Sequence, residues 1–374
     1  MSIRTPTTIE SYRAGAGMSE RHAPQRLPQV LALAYALLTA YACLHPLSGW
    51  RNSGVGPFDF LMAQVPPYFT KRDLVFNVLG FLPLGFTAAA ALRTSLKAGW
   101  TVLAVSLLCV LLSLTVETLQ NYLPGRISSN LDLAMNSLGG FIGALAGTHW
   151  HTVFDRRGAL HRWRVRRVLP GHAGELGLLL LGLWWLAQLW PGGMLFSSGD
   201  LRALFELPGP MSFSARRYIA LETAVVASNL LAVGLIARRC QRGLGVASLL
   251  FLLLAGLLVA TLATTLFVAP NDPLRWASPG AQQGLLVGAL LLAAALRLPS
   301  WLQFPLACMA LLSATALVNM APQNPFVLHI SQAMLSGHSL NFLGLTEWVA
   351  RLWPFLALAW LTVFTTVPAR ADRA

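Results

Sequence analysis

Charged residues are scarce in this chain, at 11% of 374 residues, and only 14 of them are Asp or Glu. Soluble globular domains carry about 25% charged residues, so a water-exposed fold is excluded for most of the length. No block is both long and polar enough to fold separately, and no soluble domain is expected. The cysteines, Cys43, Cys109, Cys240 and Cys308, are few and scattered. Their spacing fits neither a metal site nor a redox pair, and three fall inside apolar blocks, so they are read as packing residues. There is no nucleophile elbow, HExxH, Walker motif or Cys-His pairing. His329 and His338 lack the i, i+4 spacing of a zinc helix, so neither a metal nor another cofactor is expected. Residues 1–26 contain no apolar h-region, so no cleavable signal peptide is expected and the first span acts as the insertion signal.

What the chain has in abundance is apolar side chains, 55% of its residues, with a mean hydropathy of +0.60. Lipid must be the solvent for that surface. At about 20 residues per crossing, the blocks fit an all-α, polytopic integral membrane protein of about ten transmembrane helices. They are read at 27–48, 73–93, 98–121, 131–150, 173–192, 218–237, 246–268, 282–298, 301–320 and 347–367. A re-entrant hairpin around Leu298-Pro299-Ser300 stands as an alternative, and 52–70 could lie in the interface. The formal charge of +13 would suggest nucleic acid in a soluble protein. Here the basic residues sit between apolar blocks, so they are read as orientation signals and no nucleic acid is expected. Lys and Arg favour one side two to one when both termini are cytoplasmic. The loop Arg156, Arg157, Arg162, Arg164, Arg166, Arg167 is the strongest element. The chain therefore reads as a cytoplasmic tail (1–26), a four-helix domain (27–151), a basic cytoplasmic linker (152–172), a six-helix region (173–368) and a second tail (369–374).

A short repeat stands out. Asp73-Leu-Val-Phe-Asn77-Val-Leu-Gly80 and Asp132-Leu-Ala-Met-Asn136-Ser-Leu-Gly139 both read D-L-x-x-N-x-L-G. Both segments enter from the outer face, which predicts parallel helices. The i, i+4 spacing puts each acid and amide on one helical face. Glu117-Thr-Leu-Gln120-Asn121 closes the third span on that same side, followed by the turn Pro124-Gly125-Arg126. Asp73, Asn77, Glu117, Gln120, Arg126, Asp132 and Asn136 are thus expected at similar depth near the outer leaflet, where three carboxylates and one Arg are expensive to place. Each also has a structural reading. Asp73 and Asp132 start helices and could be caps. Asn77, Gln120 and Asn136 could bond between helices. Glu117 needs Arg126, a proton or water as partner, and Arg126 is either a counter-ion to Glu117 or Asp132 or a substrate-binding group. Gly139-xxx-Gly143-xxx-Gly147 predicts close helix packing, either within the protomer or across a dimer, with the former favoured.

The run from Asp73…Asn77-Val-Leu-Gly-Phe-Leu-Pro83-Leu-Gly85 through Glu117-Thr-Leu-Gln120 and Pro124-Gly-Arg126 to Asp132…Asn136-Ser-Leu-Gly139 with Gly143 resembles the VanZ-like family over roughly residues 30–150. The family is named for a protein conferring low-level resistance to the glycopeptide teicoplanin. The resemblance implies a bacterial inner-membrane protein with a cell-envelope role. Small VanZ-like proteins are close to this domain alone, whereas six further spans follow here.

The C-terminal half has its own polar stretch, Asn319 through Gln323, Asn324, His329, Ser331, Gln332, His338 and Asn341 to Glu347, Trp348 and Arg351. Within it, 321–346 reads as a binding loop or short interfacial helix, or as an interfacial segment anchored by Trp348 and Trp353. Glu222 follows Arg216 and Arg217 and reads as an interfacial ion pair, while Asn229 reads as interhelical glue. Three functions fit these features. One is a binder or transporter of a lipid-linked envelope precursor or lipoglycopeptide, with Asn77, Gln120, Arg126 and Asn136 as substrate contacts. A second is a membrane enzyme on a lipid-linked substrate with Glu117, Asp132 or Asp73 as catalytic acid or base and Arg126 on a phosphate. The third is a structural subunit docking an envelope-assembly partner protein.

Overall fold

In the computed structural model, residues 27–45, 47–52, 54–64, 71–93, 95–124, 126–154, 158, 162–163, 166–169, 172–202, 205, 213–241, 245–269, 271–322 and 342–365 are described. Among them, ten α-helices occur and the only strand-type pairing is an isolated bridge between Val168 and Gln241. The helices are α1 (Leu27–Leu44), α2 (Lys71–Leu92), α3 (Ala98–Gln120), α4 (Asn130–Trp150), α5 (His172–Ala187), α6 (Ala215–Cys240), α7 (Val246–Ala263), α8 (Pro279–Ala295), α9 (Ser300–Met320) and α10 (Phe342–Thr365). Six segments are long and apolar enough to cross a membrane: Asp73–Leu92, Ala98–Gln120, Ala215–Cys240, Val246–Val268, Ser300–Met320 and Gly344–Phe364. Pro28–Leu44, Ala173–Ala187 and Pro279–Ala295 are shorter apolar helices. At 1.5 Å per residue they fall short of a ~30 Å hydrocarbon core without thinning or help from flanking residues.

The chain divides into two compact units. The first comprises 1–40, 52–122 and 128–162, and the second 41–51, 123–127 and 163–374. In the first, α2 and α4 interlock along the predicted glycine stripe. A methyl group built on Gly139, Gly143 or Gly147 would lie 2.1–2.2 Å from the carbonyl oxygens of Val78, Leu82 and Phe86, respectively. Both series climb in steps of four, so the two helices run parallel, and only glycine permits so close an approach. The close packing is within the chain, the favoured of the two arrangements. Gly85 and Gly140 complete the contact, Gly140 also receiving Cys109 of α3. Pro83 lies inside α2 without ending it, and Thr87 Oγ1 donates to its carbonyl at 2.8 Å. Phe81, Leu84, Ala89, Val105, Cys109 and Ala144 form the buried core.

The second unit is built around α6. Its apolar window is 67% buried, against 22–33% for the windows of α7, α9 and α10, so α6 meets protein on most sides while the described residues leave most of the others' apolar surface uncovered. Here α8 repeats the device of α4. Gly280, Gly284 and Gly288 lie against Ile219, Thr223 and Ala227 of α6, again four apart and in the same direction. Helix α8 begins on Ser278, whose side chain accepts Ala281 N–H, with Pro279 in the first turn, where its missing N–H costs nothing. A π-helical turn, Thr264–Val268, ends α7. Trp353 is wholly buried and donates its indole N–H to Leu180 O at 2.8 Å, so it is a core residue rather than an interfacial anchor; Trp348 is 38% exposed. Cys43, Cys109 and Cys240 are buried free thiols, in keeping with packing roles.

Candidate functional site

The first turn of α4 shows how the polar cluster is assembled. Ser129 has extended backbone, and its side chain accepts the N–H groups of Leu131 and Asp132. The cap of α4 is therefore Ser129 and not Asp132. In a capping box the carboxylate at the third helical position would turn back to the cap's own N–H. In this structure Glu117, from α3, takes that N–H at 3.1 Å with Oε2, and Ser128 Oγ donates to the Glu117 carbonyl at 2.5 Å. Asp132 is left to face α2, where Asn77 Nδ2 donates to its Oδ1 at 2.6 Å. The acid of one repeat thus meets the amide of the other, and Asp73 stands one turn before Asn77 in the first turn of α2.

The mirror contact does not form. Asn136, the second repeat's amide, donates from Nδ2 to Ser113 Oγ of α3 at 3.0 Å, while its Oδ1 has no hydrogen-bond partner among the described residues. Asn136 and Glu117 are each 2% exposed, and Asn77 and Gln120 are also buried. The pseudo-symmetry of the sequence is broken because α3 packs against α4 and supplies both Ser113 and Glu117. The residues of the first unit that come together at one end of its helices are therefore Asp73, Asn77 and Asp132, with Glu117, Ser128 and Ser129 alongside. Ser113 and Ser129 went unnoticed in the sequence. The S-x-x-D pattern at 129–132 was the available signal for Ser129.

Arg126 belongs to the second unit. Its guanidinium Nη2 donates to the carbonyl of His45 at 3.1 Å, and the His45 ring packs by Nδ1 on Tyr41 OH at 3.1 Å. Farther along the second unit, Glu222 is 6% exposed and accepts Ser278 Oγ at 2.5 Å. The expected pairing of Glu222 with Arg216 or Arg217 is thereby corrected: the carboxylate is buried and meets Ser278 at the start of α8. Asn229 is buried, donating to Val225 O of its own helix and accepting from Ser198 at 3.5 Å. Glu347, Trp348 and Arg351 lie on α10, within the span expected from 347, with Glu347 paired with Arg351 and Arg351 over the Trp348 ring. Gln323, Asn324, His329, Ser331, Gln332, His338 and Asn341 lie outside the described residues, as do Arg156, Arg157 and Arg164. Among the described residues, no group of three or more His, Cys, Asp or Glu could hold a metal ion.

A model of the VanZ/LLP1 family matches residues 25–151, the segment that contains α1 to α4 and every member of the polar cluster. No curated protein and no solved structure matches the chain. The protein is a multi-pass helical membrane protein whose N-terminal part, residues 25–151, is a VanZ-like domain, followed by a C-terminal half beyond the family match.

Proposed function

We propose that this is a bacterial cell-envelope protein of the inner membrane that binds or carries a lipid-linked envelope precursor or lipoglycopeptide at the outer leaflet. The polar end of the VanZ-like domain is its site. The supporting observation is the Asn77–Asp132 bond, which couples two acid and amide pairs at one end of a glycine-locked parallel helix pair. Ionisable groups within membrane-depth helices are costly and mark ligand or ion paths by default. Asp73 and Asp132 supply charge, and Asn77 and Gln120 supply amide contacts, while Asn136, 2% exposed and donating to Ser113, supports α4 from behind. Arg126 serves the reading as an anion-binding group and is tested separately. In this reading all ten helices cross the membrane, both termini are cytoplasmic, and teicoplanin susceptibility is the phenotype to measure. An enzyme using Glu117 as general base is less well supported, because that carboxylate is buried and already engaged by Ser129 N–H. The structural-subunit reading predicts an envelope-assembly partner that co-purifies.

The test expresses wild type, Glu117→Gln, Arg126→Ala, Asp132→Asn and Asp73→Asn in a deletion strain. Lipid-linked precursors and susceptibility to teicoplanin and lipoglycopeptides are compared at matched membrane abundance. Loss of phenotype at unchanged abundance supports a working site. Full activity in all variants would reduce the cluster to helix glue.

A further inference from the structure

The C-terminal half holds a buried acid that the VanZ-like reading does not use. Glu222 lines a cavity of about 170 Å³ between the end of α5, the start of α6, the π-helical end of α7 and the start of α8. That is several times the ~30 Å³ share of one water. Glycine at position 280 makes room for the carboxylate, because a methyl group there would lie 2.4 Å from Glu222 Oε2.

Several lining donors are already committed inside the protein. Ser278 Oγ–H goes to Glu222, Gln188 Nε2 to Trp184 O at 3.0 Å, Thr264 Oγ1 to Ala260 O at 2.9 Å and Trp276 Nε1 to Thr261 Oγ1 at 2.9 Å. The acceptor capacity of Glu222, Gln188 and Thr264 remains. Arg275 also lines the cavity, yet among the described residues no ion pair joins it or any other cation to Glu222. A buried carboxylate without a cation is costly, and the aromatic residues Trp190, Tyr218 and Trp276 in the same lining offer rings that attract positive charge. Among the described residues no carboxylate or histidine pair joins Glu222 to make a metal site. A ligand with one positive charge and several N–H donors fits what the cavity offers.

We propose that this cavity binds the primary-ammonium headgroup of an amphiphile, with Glu222 as its counter-charge. The ammonium donates to the carboxylate and to the acceptors of Gln188 and Thr264, and the acyl portion leaves along the lipid-facing helices.

The test uses the full chain in phosphatidylcholine nanodiscs, titrated with phosphatidylethanolamine or phosphatidylglycerol, with retained lipid counted by native mass spectrometry. Phosphatidylethanolamine should be retained at least tenfold better than phosphatidylglycerol, and Glu222→Gln should abolish that preference while eluting as a single species. Thr264→Val, which leaves the acid in place, should weaken retention several-fold and serves if Glu222→Gln does not fold. Competition by soluble ethanolamine would show that the headgroup alone suffices; without it, the chains contribute. Equal retention of the two lipids by wild type, or an unchanged preference in Glu222→Gln or Thr264→Val, would overturn the assignment.

Discussion

At the residue scale, the cluster separates hydrogen bonding from charge. Asp132 accepts from Asn77, and Glu117 accepts from a backbone N–H. An amide oxygen can do both, so Asp132→Asn and Glu117→Gln should keep the fold while removing the charge. Unfolding in detergent should shift by no more than about 0.5 kcal/mol for either variant. Asp132→Leu instead strands the buried Asn77 amide and should cost on the order of 1 kcal/mol, the usual worth of such bonds between membrane helices. A large loss in Asp132→Asn would mean that the ionised form holds the helices together. Which acids would gather was readable from the repeat spacing. Which atom each would bind was not, because the outcome turns on Ser129 taking the cap and handing its own N–H to α3. Glu117 faces no cation nearby in sequence, and its partner comes from a loop that only the fold brings back.

At the scale of elements, both units use one construction: two parallel helices separated by a third, locked by three glycines four residues apart. The stripe at 139, 143 and 147 is plain in the sequence because it lies well inside an apolar block. The one at 280, 284 and 288 was missed, since a span read from 282 leaves Gly280 outside the helix. In the structure Pro279 starts the helix, where proline is favoured. Substitution should show how tightly each stripe is packed. A side chain at Gly143 meets the backbone oxygen of Leu82, which has little freedom to move. Gly143→Ala should therefore destabilise by about 2 kcal/mol or more. Gly182→Ala on α5 meets nothing within 4 Å, and should be neutral or up to about 1 kcal/mol stabilising through helix propensity. Equal melting shifts for the two would refute interlocked packing of α2 and α4.

At the scale of the whole molecule, the ten apolar helices among the described residues were legible and membrane crossing is the harder quantity. Composition and periodicity place all ten helices near their observed ranges, yet only six segments pass a test of length and hydropathy. Helix α4 shows why. The glycines that let it approach α2 dilute its hydropathy, so a helix can satisfy its surroundings through a neighbour instead of through lipid. The short α1, α5 and α8 raise the same question, and parity answers it, because each helix that fails to cross inverts every loop after it. Single cysteines introduced in turn by Ser95→Cys, Asn121→Cys, Gly245→Cys and Asp272→Cys, in a chain whose four native cysteines are replaced by Ala, would be probed with an impermeant maleimide on intact cells. Ten crossings with cytoplasmic termini predict labelling at 121 and 272, and protection at 95 and 245 until the membrane is opened. If α5 alone fails to cross, 121 stays labelled while 245 becomes labelled and 272 protected, and the basic residues Arg238 and Arg239 fall on the unfavoured side of the charge bias. The labelling pattern therefore tests crossing and orientation together as far as α7, and brackets the first helix at which they part.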